Sequence, residues 1–78
     1  MATIPTDEQV GNAILKVFAA YNRRPGEWLK EILLAVQIEQ YGCRSDDLSR
    51  GLEWLKVKGY IEAKNGGYVL TESGFASL

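Results

Sequence analysis

The sequence predicts a mainly α-helical α+β domain: three helices, a two-stranded β-hairpin and a short C-terminal helical turn. Three observations point there. A capping pattern at Thr6 opens a stretch whose apolar residues recur at helical spacing, and a broadly apolar segment at 27–41 reads as a second helix. Further on, the dipeptide Asn65-Gly66 separates two runs that alternate in the manner of strands.

Helix 1 is expected over about 7–22. Thr6 followed by Gln9 fits a capping box, Asp7 and Glu8 suit the positive end of the helix dipole, and Val10, Ile14, Val17 and Tyr21 form one buried face. "NRRPG" punctuates the chain before helix 2, expected over about 27–41 with Leu29, Ile32, Leu33 and Val36 as its core stripe. Trp28, Leu34, Ala35 and Ile38 widen that stripe and imply burial on more than one side. Gly42 is a left-handed stop. Helix 3 is expected over about 45–58, capped by Ser45, with Leu48, Leu52 and Leu55 facing inward and Gly59 ending it. Strands at about 60–64 and 67–71 flank a primed turn. Thr71 can cap a last turn in which Phe75 and Leu78 seek burial.

Composition bounds the class. The chain has 78 residues, 46% hydrophobic and 24% charged, fitting one globular domain over 1–78 with a small core. The longest apolar run, Ile32 to Val36, is far short of a membrane span. "MATIPTDEQV" has no basic start or long apolar segment of the secretory kind. Cys43 is the only cysteine, so no internal disulfide is available and a reducing, cytoplasmic location is expected. Enzymatic chemistry finds no footing: without histidine there is no thiol–imidazole or Ser–His pair, nor a ligand set for zinc. No cofactor is implied.

The order of elements describes a winged helix-turn-helix domain. More specifically, "LSRGLEWLKVKGYIE" followed by "GGYVLTESG" resembles the recognition-helix-and-wing segment of bacterial regulators of the MarR, PadR and ArsR type. Leu52, Leu55, Gly59, Tyr60 and Ile61 match the first part of that pattern, and Leu70, Thr71 and Gly74 the second. "LEWLKVKGYI" is also similar, more faintly, to small winged-helix proteins of Mu-like prophages. The resemblance covers roughly residues 44 to 75 and implies double-stranded DNA as the partner, with helix 3 in the major groove.

On that reading, Arg44, Ser45, Ser49, Arg50, Lys56, Lys64, Asn65 and Gly66 are the candidate DNA contacts. Rotation by about 100° per residue from the leucine face puts Asp46, Arg50, Glu53 and Val57 near the outer pole. Ser49 and Arg50 are the expected groove contacts, and Lys64 to Gly67 form the wing. The charge balance pulls the other way, with nine basic and ten acidic side chains, net −1, and an isoelectric point near 5.3. Few phosphate contacts per subunit are expected, so useful DNA binding calls for a homodimer. The alternative is a protein-interaction module whose acidic helix 3 (Asp46, Asp47, Glu53 and Trp54) docks on a basic protein partner.

Overall fold

A computed structural model describes residues 4–78; residues 1–3, the start of the segment read for a leader, lie outside the described residues. The elements run α1 (Asp7–Ala20), β1 (Trp28–Lys30), α2 (Glu31–Gln37), α3 (Leu48–Lys58), β2 (Ile61–Lys64), β3 (Gly67–Leu70) and α4 (Glu72–Ala76). Short 3-10 turns at Ile38–Tyr41 and Ser45–Asp47 follow α2 and lead into α3. The class is α+β, with the three strands in one antiparallel sheet ordered β1-β3-β2.

The expected capping box is formed at the head of α1. Thr6 Oγ1 accepts from the Gln9 N–H at 3.1 Å and Gln9 Oε1 accepts from the Thr6 N–H at 2.8 Å. Val10, Ala13, Ile14, Val17 and Phe18 are buried. The helix ends at Ala20, earlier than expected: Asn22 turns left-handed (φ 54°), which leaves Tyr21 38% exposed rather than in the core.

α1 packs most extensively on α3. The approach depends on two glycines. A Cβ on Gly51 would collide with Val10 and come within 2.9 Å of Ile14, and one on Gly11 would lie 2.6 Å from the Trp54 ring. Leu48, Leu52 and Leu55 enter the core from the same helix face, as their spacing predicts.

The second helix departs from expectation. Trp28 to Lys30 form a strand, and only at Glu31 does the chain turn helical. The reason is a tertiary contact: Trp28 pairs in register with Val69, Lys30 pairs with Gly67, and the Trp28 indole N–H donates to the Lys64 carbonyl at 2.8 Å. The indole lies where a Cβ on Gly67 would be. Starting the helix at Glu31 makes Leu34 and Ile38 the fully buried residues. The expected core residues Ile32 and Val36 are instead 72% and 59% exposed, so α2 is covered on one side only.

β2 and β3 pair from Ile61↔Leu70 to Lys64↔Gly67. Asn65 (φ 44°) and Gly66 (φ 80°) supply the positive angles of the tight turn. Both strands are a residue shorter than expected, ending where Tyr60 and Thr71 take up other bonds. Thr71 caps α4 by accepting from the Gly74 N–H at 3.1 Å, but Phe75 and Leu78 stay 46% exposed rather than buried.

Candidate functional site

The start of α3 is organised by Asp47. Ser45 was the expected cap, yet its side chain makes no capping bond; instead the Arg44 backbone N–H donates to Asp47 Oδ2 at 3.1 Å and closes the 3-10 turn. The other carboxylate oxygen, Oδ1, accepts from Arg50 Nη2 at 2.7 Å. Arg50 Nη1 then reaches the head of α1, donating to Asp7 Oδ1 at 2.8 Å and to the Pro5 carbonyl at 3.2 Å. The Arg50 guanidinium, followed by the Arg44 N–H, holds the Asp47 carboxyl below its ordinary range. Arg50 in turn is raised, first by Asp47.

This corrects the expected orientation of Arg50. Gly51 is buried at the edge of the leucine face and widens the inward sector of α3 on that side. An apolar-spacing pattern does not register a buried glycine. Arg50, at position 50, therefore sits at the rim of the α1–α3 seam, with its side chain only 37% exposed and ion-paired at both ends. Ser49, Glu53, Lys56 and Val57 remain on the outer face, Val57 80% exposed. Lys56 Nζ lies 3.2 Å from Glu53 Oε2, so the two charges offset each other. Trp54 is half-buried as expected, lying against Gly11 and edge-on to Tyr60 with ring centroids 6.3 Å apart; Lys58 covers its face.

A groove of about 570 Å³ gathers the opposite end of this face. It is lined by Trp28, Lys30, Glu31, Ile32 and Ala35 from β1 and α2, by Ser45 and Leu48 from the start of α3, and by Asn65 and Gly66 from the hairpin tip. The structure thus brings Ser45, Asn65 and Gly66 together, with Arg44 and Lys64 each one residue away in sequence. Lys30 joins them. The sequence pattern hides it inside an expected helix; the strand register opposite Gly67 brings it to the hairpin tip. Among the described residues, no carboxylate lies within ion-pair reach of Lys30, Arg44 or Lys64. Glu31 lines the same groove, and Asp46, next to Ser45 in sequence, is exposed, so two carboxylates accompany the three cations.

Cys43 lies at the turn before α3, 5% exposed. Burial, then the nearby Asp47 carboxylate, push its thiol up; a neutral thiol with little access is a poor nucleophile. Among the described residues, no three His, Cys, Asp or Glu side chains are grouped to hold a metal ion, and no helix is long and apolar enough to cross a membrane. Comparison of the chain with protein-family models, with curated proteins and with solved structures found no match.

Proposed function

We propose that the chain is a winged-helix DNA-binding module that anchors on the phosphate backbone and reads sequence weakly. The observation that carries this reading is the convergence of the start of α3, the end of β1 and the Asn65-Gly66 tip around one groove. A duplex docked with α3 in its major groove meets these same three elements. Lys30, Arg44 and Lys64 are the phosphate anchors in this mode, Ser45, Ser49 and Asn65 add neutral hydrogen-bonding groups, and Lys56 acts at the outer end of α3. Arg50 is a clamp between α1 and α3 rather than a groove contact, which takes the arginine of α3 out of bidentate reading of guanine.

The consequence is quantitative. With about two or three phosphates neutralised per chain, log K falls against log salt with a slope of roughly −2 to −3. The test is an NMR titration of labelled protein with a generic duplex at low salt. Shifts confined to residues 44–49, 64–66 and Lys30, fading as salt rises and weakened by Lys64→Glu, are the expected result. Absence of shifts at low salt would overturn this reading.

A second reading rests on a separate observation. Ile32 and Val36, four apart on α2, are both more than half exposed, and DNA phosphates gain nothing from aliphatic side chains. Together with Asp46 and Glu53 on the outer side of α3, they favour a basic protein partner with apolar anchors. Shifts at Ile32 and Val36 with protein extract, and none with DNA, are what this reading requires.

A further inference from the structure

β2 bonds to β3 and leaves its other side as a sheet edge. The two sides of the strand can be told apart. The Tyr60 carbonyl accepts from the Thr71 N–H at 3.0 Å, and the Lys64 carbonyl accepts from the Trp28 indole across the sheet. In an antiparallel ladder the direction of the backbone groups alternates residue by residue. Residues 60, 62 and 64 therefore turn their amides and carbonyls towards β3, and Ile61 and Ala63 turn theirs outward. Glu62, Ala63 and Lys64 are all exposed. An edge of this sort is a template for another strand, and charges along it usually discourage pairing.

Here the two charges have opposite sign and flank a small residue. We propose that the β2 edge is a self-association surface on which a second copy of this chain pairs antiparallel about a two-fold axis through Ala63. In that register each Ala63 donates its N–H to the carbonyl of Ala63 in the other copy, and Glu62 lies opposite Lys64 on both sides of the axis. Neighbouring registers fail. An axis at Glu62 or at Lys64 sets like charges against each other, which destabilises a sheet. A shift by one residue sets outward-facing groups opposite inward-facing ones, so no bonds form. Pairing ends at Asn65, whose left-handed backbone leaves the strand. The contact is short, well under the roughly 1,200 Å² of a stable interface, so the dimer is a weak one. It rests on the sheet edge and not on the DNA-binding reading; a Lys64 held on phosphate is lost to Glu62 of the other copy, so the two uses compete.

The charge pattern provides its own test, by sedimentation of the full chain over a concentration series reaching about 1 mM, the range of weak association. The wild-type chain is expected to show a dimer that fades with added salt. Glu62→Lys and Lys64→Glu are each expected to weaken it about tenfold by placing like charges opposite one another. Mixed in equal amounts, these two variants are expected to associate more tightly than either does alone, and the double exchange E62K/K64E to restore pairing. Ala63→Pro removes the outward N–H at an edge position where proline is tolerated, so the monomer should keep its melting temperature and lose the dimer. A chain that stays monomeric throughout, or a dimer indifferent to Ala63→Pro and to the charge exchanges, would overturn the proposal.

Discussion

The two sides of this small fold are built to different standards. Where α1 meets α3, two glycines admit the opposing helix, the leucines of α3 are buried, and Arg50 ties Asp47 and Asp7 together at the mouth of the seam. Where α2 meets the hairpin, the helix lasts only from Glu31 to Gln37, two aliphatic side chains stand in solvent, and an open groove separates it from the hairpin tip. One side supplies the cohesion of the domain. The other is left available, and the exposed groups lie beside Lys30, Arg44 and Lys64, which have no ion-pair partner among the described residues. Under the reading proposed above, recognition falls on the loosely covered side, supported by a seam that has little room to change.

Truncating one aliphatic side chain on each side should have very unequal effects. Leu55 is fully buried in the seam, so Leu55→Ala should cost about 2–5 kcal/mol in urea unfolding. Ile32→Ala, on the open side, should change stability by no more than about 0.5 kcal/mol. Equal losses at the two sites would show that α2 is covered in the folded chain and that the contrast is wrong. A smaller effect is expected at Gly51. Alanine there gains about 1 kcal/mol of helix propensity, but its Cβ meets the stiff, branched Val10 side chain. Overpacking of this kind should leave Gly51→Ala destabilised by about 1–3 kcal/mol. A more stable variant would mean that the seam can open slightly and is less tightly fitted than its contacts imply.

Much of this was legible in the sequence, and the parts that were not share a cause. Local chemistry predicted local structure: the Thr6–Gln9 cap, the Asn65-Gly66 turn and the Thr71 cap are each made by residues within a few positions of one another. The leucine face of α3 was readable for the same reason. The errors came from partners distant in sequence. Trp28 has the company of good helix formers, and it is pairing with Gly67–Val69, reinforced by the indole bond to Lys64 36 residues away, that makes Trp28–Lys30 a strand. That change moved the phase of α2, exposed Ile32 and Val36 and brought Lys30 to the hairpin tip. Arg50 was misoriented because its partners include Asp7 and Pro5, which no spacing rule connects with position 50. For the candidate face, the residue types at 44, 45, 49 and 64–66 were readable, whereas which cations were free for a partner depended on these long-range pairings.

The least disruptive probe of the seam is acid. Asp47 titrates below its ordinary value of 3.8 because Arg50 and the Arg44 N–H stabilise its charged form. A carboxyl whose pKa is lower folded than unfolded contributes stability that is fully present above its unfolded pKa and is lost as pH falls through the folded one. Stability should therefore be insensitive to this group near neutrality and fall with pH below about 4. Asp47→Asn keeps a similar shape and an acceptor for Arg44 but has no charge to titrate. It should begin less stable at neutral pH and show a flatter decline below that value, so the two unfolding curves converge in acid. The change should be smaller than either seam substitution, since the pair lies at the rim, where the Arg50 end is partly exposed to water and salt. Parallel acid curves for the two proteins would show that Arg50 is not held by Asp47 in solution. Only the bonds to Asp7 and the Pro5 carbonyl would then hold Arg50 from turning outward, where the face around Ser49 would regain a cation for reading DNA.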